Sequence, residues 1–280
     1  MKLAFSTNAY KKYSLNNAIE RISKIGYKGV EILCDIPHAY PPSLADNDIE
    51  KIKGDIAENN LEISNLNAFT LYAIGDVYHP SWIEYDNKLS QIRIEHTVNC
   101  IKLAHRLGAK NLSTEPGGPI EVKNLKYTQD KNMLLKRFVK NLQKIYYFAE
   151  KNDVKILVEP EPSLLLETSD EFLQFIKEIR SEYIKLNFDI GHFYCVREEP
   201  EDIIYKLIDH IEHFHIADIS KERIHHHLIP GHGSIKFEKV FDVLKKIGYE
   251  GFITVELYPY QDNPDYAAKS AYNYLINLIN

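Results

Sequence analysis

Cysteine is scarce in this chain: Cys34, Cys100 and Cys195 are the only three in 280 residues, and none forms a CxxC pair. That spacing argues against a disulfide framework and against a thiolate zinc site, and it fits a reducing cytoplasm. Long apolar runs are also missing. No stretch approaches the roughly 18 consecutive apolar residues of a membrane-crossing helix, so no membrane partner is expected. The opening MKLAFSTNAY carries one lysine and too short an apolar stretch to read as a secretory signal. Positive charge is not in excess, since 34 Lys and Arg face 40 Asp and Glu for a net charge of −6. A mildly acidic chain argues against nucleic acid as a partner, because phosphate binding rests on clusters of Lys and Arg. Neither GxGxxG nor a P-loop follows the first apolar segment, which argues against a nucleotide-binding fold.

What is present is a regular alternation. Lys2–Ser6 reads as a strand. Ser14 opens a helical pattern with Leu15, Ala18, Ile22 and Ile25 on one face, and Gly26 stops it. Strand Gly29–Leu33, with Glu31 inside it, is followed by a helix to about Asn59 that Asp46 or Asp48 could cap. Strand Glu62–Leu66 leads into a long loop from Asn67 to about Ser90, then a helix over 91–107 that ends at Gly108. A short strand Asn111–Ser113 precedes a long helix over about 128–151. Strand 155–159 follows, then a helix that Thr168 opens with Glu171 completing a capping box. Strand 184–188, helix 199–210, strand 211–216, helix 237–247, strand 251–255 and helix 266–279 complete the chain. Eight strands alternating with helices imply a parallel sheet. At this length they predict one α/β domain over 1–280, a single (β/α)8 TIM barrel.

Four strands end in a residue able to bind a metal. Glu159, Asp189, His215 and Glu256 close the apolar runs of strands five, six, seven and eight. Active sites of such barrels lie at the carboxyl ends of the strands, so four neighbouring strand ends can converge on one point. Three carboxylates and one imidazole suit a divalent ion, Mn²⁺, Mg²⁺ or Co²⁺, with Zn²⁺ also compatible. A lone strand-end carboxylate is more often a solvated or capping group; four on successive strands are not.

Other residues carry two readings each. His79 and Trp82, in the long third loop, either form a lid with an aromatic platform over the substrate or pack the loop down. Glu115, beside Pro116-Gly117-Gly118, lies in a turn at a strand end, where side chains line the site. The run His225–His227 reads as a polar loop before it reads as a metal site, with His227 and Lys221 also expected among the substrate contacts. Asn8, Glu31 and Asp218 read as structural or supporting groups, and His210 and His213 as core or surface.

Nearly the whole chain, and most specifically its second half, resembles the xylose-isomerase-like barrels, which include sugar epimerases, sugar isomerases and inosose dehydratases. The resemblance rests on Val158-Glu159-Pro160, Asp189-Ile190-Gly191-His192, His215-Ile216-Ala217-Asp218, Pro230-Gly231-His232-Gly233-Ser234-Ile235-Lys236-Phe237 and Gly248-Tyr249-Glu250-Gly251-Phe252-Ile253-Thr254-Val255-Glu256. It implies one divalent metal ion, manganese by first choice, held by Glu159, Asp189, His215 and Glu256, with His192 facing a small sugar or polyol. It further implies that Glu159 and Glu256 move a proton on opposite faces of a ketose through an enediolate, as two-sided acid–base chemistry requires. An inosose-type dehydratase would use the same site. Relatives are commonly dimers or tetramers, so a homo-oligomer is compatible with the resemblance.

Two positions depart from the ketose epimerases. Leu165 stands where they carry a glutamate, with Glu161 and Glu167 as nearby carboxylates, and Lys221 stands where they carry an arginine, with Arg223 close by. A rival chemistry on the same scaffold is the zinc phosphodiester hydrolysis of DNA-repair endonucleases. His192 and His227 occupy positions of their third-zinc ligands and His225 replaces an aspartate, but Asn67 and Glu115 stand where two of their histidines would be. A barrel that binds metal or sugar without turnover is the third reading. Against it, a scaffold has no need of mutually repelling carboxylates at buried strand ends.

Overall fold

In the computed structural model, which describes residues 1–120 and 130–279, the strands run β1 Lys2–Ser6, β2 Gly29–Leu33, β3 Glu62–Asn67, β4 Asn111–Thr114, β5 Lys155–Val158, β6 Ile184–Asp189, β7 Ile211–Ile216 and β8 Phe252–Val255. Every neighbouring pair is parallel, and β8 closes onto β1. The result is a (β/α)8 barrel, as the alternation predicted. The helices are α1 Leu15–Ile25, α2 Asp46–Glu58, α3 Asn87–Leu107, α4 Lys131–Gln143, α5 Tyr146–Asn152, α6 Ser169–Ile179, α7 Ile190–Cys195, α8 Pro200–Leu207, α9 Phe237–Lys246 and α10 Pro264–Ile279. None is long and apolar enough to cross a membrane.

The apolar core lies between strands and helices. Phe138 of α4 stacks on Phe175 of α6 and meets the edge of Trp82, while Phe188 of β6 packs on Phe193 and Phe214. Inside the barrel the upper side chains are polar instead. Because side chains alternate along a strand, a residue two before a site residue shares its face. Asn65, Asn187, His213 and Thr254 therefore lie directly beneath Asn67, Asp189, His215 and Glu256, and all eight are buried.

Several predicted boundaries move for identifiable reasons. Asp86 caps α3 by accepting Lys88 N–H, so the helix starts at Asn87 and the preceding loop is shorter. Neither Asp46 nor Asp48 is the residue before α2. Asp48 sits in its first turn and reaches back to the Ala45 N–H at 2.8 Å. The expected long helix over 128–151 is two: α4 ends at Gln143 and α5 begins at Tyr146, and its expected start at 128 and 129 lies outside the described residues. The short helix α7 went unread because Asp189 both ends β6 and caps it.

The capping box on α6 is present as expected, with the Thr168 hydroxyl accepting Glu171 N–H at 3.3 Å and Glu171 accepting Thr168 N–H at 3.2 Å. Thr168→Ala is expected to lower unfolding free energy by about 1 kcal/mol, read from the urea midpoint at constant m-value.

Candidate functional site

Register builds the site. Asp189 of β6 is paired with His215 of β7, and His215 in turn with Thr254 of β8, two residues before Glu256. Glu159 follows the last residue of β5, and its N–H still bonds the Thr114 carbonyl at 3.3 Å. These side chains meet at the carboxyl end of the barrel. Glu159, Asp189, His215 and Glu256 are all buried, and each offers one donor atom within 4.8 Å of the others.

Each member is oriented from behind. Asn187 donates to Glu159 Oε2 at 2.8 Å. Asn8 donates to Glu256 Oε1 at 2.8 Å and Asn67 to the same oxygen at 3.3 Å. His215 Nε2 lies 2.6 Å from Glu31 Oε2, and Glu31 is itself held by Asn65 and Asn67. A neutral ring that donates its Nε2–H to Glu31 presents the Nδ1 lone pair to the site, the arrangement that fixes a metal-binding histidine. Nδ1 is 3.1 Å from Glu159 Oε1 and 3.8 Å from Glu256 Oε2.

The electrostatics ask for a cation. Burial, reinforced by the charges of Glu159, Glu31 and Asp189, holds the Glu256 carboxyl well above the usual range, with His215 opposing. Burial would lower His215, but Glu159, Glu31 and Glu256 outweigh it and raise the ring well above its ordinary value. Burial likewise raises Asp189, yet His192, His227 and His215 overcome it and bring the group to about 2. Asp189 Oδ1 caps α7 by accepting the His192 N–H at 2.8 Å, whereas its buried Oδ2 has no hydrogen-bond partner. An orphaned, buried, charged oxygen facing two other carboxylates and an imidazole fits a divalent ion, and the oxygen-rich set suits a hard one.

A second cluster adjoins the first. His192, His225 and His227 bring their donor atoms within 4.8 Å of one another. His192 Nε2 is 3.0 Å from His225 Nε2 and 3.3 Å from His227 Nε2. The Nδ1 atoms of His192 and His227 are bonded to the Pro160 and Glu256 carbonyls at 3.0 and 2.9 Å. The His225–His227 run is a polar loop with two of its three histidines turned to the barrel. Asp218 bridges Leu228 and gathers the N–H groups of Ile219, Gly231, Gly233 and Ile235, so the loop turns back over the barrel. Residues 225 and 227 then point inward while His226 is exposed. Only glycine fits at 233, where a Cβ would lie 2.4 Å from Asp218 Oδ1.

A cavity opens over both clusters. Glu159, Glu256, His192 and His227 line it as expected, together with Asn8, Lys11, Tyr72, Tyr78, Glu161, His225 and Tyr258. Of the two carboxylates near Leu165, Glu161 faces the cavity, bonded by the Tyr78 hydroxyl at 2.7 Å, and burial raises it to about 7. Glu167 instead accepts the Ser163 N–H at 2.9 Å.

Four expected substrate contacts do not line the cavity. Trp82 is fully buried; its indole N–H bonds Thr114 and its carbonyl accepts from Asn141, so it pins the loop down. Glu115 lies in the interior, accepting the N–H groups of Trp82 and Gly117, with burial raising its carboxyl. His79 is half-exposed and paired with Asp76. Lys221 is exposed, on the outer side of the loop that Asp218 folds, and Arg223 turns away to Glu199 and the Tyr194 ring. Sequence reading passed over Lys11, Tyr72, Tyr78, Asn187 and Tyr258. Asn187 alone left a local sign, a polar residue in an apolar strand two before Asp189.

The sequence model of the family described as xylose isomerase-like TIM barrel matches residues 19–278. Fructoselysine 3-epimerase of Escherichia coli O157:H7 is 26% identical over 277 residues, covering 97% of this chain and 96% of the relative. Inosose dehydratase of Mesomycoplasma hyopneumoniae strain J is 25% identical over 290 residues, covering 95% of this chain and 89% of the relative. Among solved structures, the IOLI protein with a bound zinc atom superimposes with a TM-score of 0.79 at 20% identity, covering 100% of this chain and 98% of that one.

Glu115→Ala leaves two interior N–H groups without an acceptor and removes the carboxylate 3.9 Å from the buried Arg93. It is expected to cost about 2–4 kcal/mol in urea unfolding. A change below about 0.5 kcal/mol would remove Glu115 from any part in holding the loop.

Proposed function

The chain belongs to the xylose isomerase-like TIM barrel family, and on that premise we propose that residues 1–280 form one domain acting as a divalent-metal-dependent epimerase or isomerase of a ketose or related polyol. The observation that carries this reading is the pair Glu159 and Glu256, each immediately after the last residue of β5 and β8, facing one cavity with His215 between them. Glu159, Asp189, His215 and Glu256 would hold the ion, manganese by first choice, whose Lewis acidity would make the C–H beside a carbonyl easier to ionise.

The chain's own groups supply the rest. One carboxylate removes the proton from the carbon next to the carbonyl, and the other delivers a proton to the opposite face. The amides of Asn8, Asn67 and Asn187 each donate to one oxygen of these carboxylates and so fix how the two groups face the cavity. His192 sits above the floor within reach of a substrate hydroxyl. The fructoselysine 3-epimerase relative supports epimerisation, and the inosose dehydratase relative supports dehydration from the same first proton removal. All three cysteines are free, which supports a reducing compartment such as the cytoplasm.

A second reading is favoured by one observation. The convergence of His192, His225 and His227 offers a place for a further ion, as a zinc phosphodiesterase would require. Metal analysis separates the two. About one equivalent of a divalent ion per chain, lost in Asp189→Ala, is the expected result; about three zinc ions would transfer the case to phosphodiester hydrolysis.

Glu256→Gln is expected to keep the fold by circular dichroism and to reduce turnover by about 10²–10⁴-fold. The assay is exchange of the proton next to the ketose carbonyl for solvent deuterium, run over a panel of ketoses. Undiminished exchange in this variant would sink the two-carboxylate mechanism.

A further inference from the structure

Lys11 is the one Lys or Arg side chain lining the cavity among the described residues. It follows the 3₁₀ turn Thr7–Tyr10 that continues from β1. In such a turn, side chains three residues apart eclipse, and the rise is about 2 Å per residue. Lys11 therefore stands over Asn8, about 6 Å further along, and Asn8 is the residue that holds Glu256. This places an ammonium one turn from the site floor, on the same wall.

That ammonium is half-buried and, among the described residues, has no carboxylate partner, whereas the adjacent Lys12 pairs with Asp262. The nearest acidic influence is Asp35, but its two oxygens are committed to the N–H groups of Ile36, Tyr72 and Ala73 and the hydroxyl of Thr70. Lys11 instead lies 4.5 Å from the centroid of the Tyr72 ring, and burial lowers its pKa below the usual lysine value. A partly desolvated ammonium without an anion is a costly arrangement that a ligand can relieve. With an ion held there, the floor would be occupied by the ketose carbonyl and its neighbouring hydroxyl, so a charged tail on the substrate would lie away from the floor, beside Lys11 on the cavity wall.

We propose that Lys11 anchors a carboxylate or phosphate at the far end of the substrate, so that the preferred substrate of this site is an acidic or phosphorylated ketose. The proposal rests on the ketose reading above and narrows it. The probes are three molecules with one ketose head and different tails: D-fructose, D-fructuronate and D-fructose 6-phosphate. Binding of each is measured by calorimetry, and turnover by deuterium exchange next to the carbonyl, for wild type, Lys11→Met and Lys11→Arg.

At least one anionic probe is expected to exceed D-fructose by about ten-fold or more in affinity and in kcat/KM. Lys11→Met should bring that ratio close to one, and Lys11→Arg should restore part of it. Whichever anion gives the larger ratio identifies the tail as carboxylate or phosphate. Equal affinities for all three in wild type, or a ratio unchanged by Lys11→Met, overturns the proposal even if exchange is seen. A Lys11-dependent preference in binding with no exchange of any probe upholds the anchor and overturns the ketose reaction instead.

Discussion

Three carboxylates buried around one imidazole are the constraint on which this architecture turns. Glu159, Asp189 and Glu256 repel one another at short range with little exposure to water, and burial strengthens that repulsion. The barrel answers with donors around them: Asn187 on Glu159, Asn8 and Asn67 on Glu256, and the backbone of α7 on Asp189. Those donors account for one oxygen of each carboxylate and leave the others directed at a common point. Part of the polar interior of the upper barrel serves this need, Asn187 by bonding Glu159 and Asn65 by bonding Glu31 behind His215. Strand positions that a TIM barrel ordinarily fills with branched aliphatics are here Asn65, Asn187, His213 and Thr254.

The same device recurs in the loops. Asp35, Glu115 and Asp218 are buried carboxylates whose partners are mainly backbone N–H groups of the loop each one organises. Arg93 does the converse, donating to the carbonyls of Ala68, Phe69 and Pro80 from within α3. A loop has no ladder of its own to satisfy its backbone, so an interior charge with several bonds substitutes for one. Through these hubs the loop after β3 delivers Tyr72 and Tyr78 to the cavity, and the loop after β7 delivers His225 and His227. Loop chemistry and barrel chemistry thereby meet in a single cavity.

The two side-chain clusters are not independent. His192, the third residue of α7 and three after Asp189, faces both clusters, with its Nε2 4.0 Å from Asp189 Oδ2 and its Nδ1 3.8 Å from Glu159 Oε1. A proton or ion gained by one cluster changes the field in the other.

By itself the sequence determined the alternation of strands and helices, the barrel and the four strand-end donors. Those features are written locally: apolar periodicity, the cap at Thr168, the stop at Gly26, and a donor residue at the end of each apolar run. Where a local signal was shared between two elements, as at Asp189, or displaced by a few residues, as at Asp86, the reading slipped by one element or part of one. Only the tertiary structure decided which loop side chains face the cavity. Trp82 and Glu115 went inward as anchors, Lys221 outward, and Lys11, Tyr78, Glu161 and His225 to the cavity wall. The reason is range. Asp218 reaches Gly231 and Ile235 across 13 and 17 positions, and Glu115 reaches Trp82 across 33. Bonds of that span set the direction of a loop and leave no periodic trace in the residues they orient.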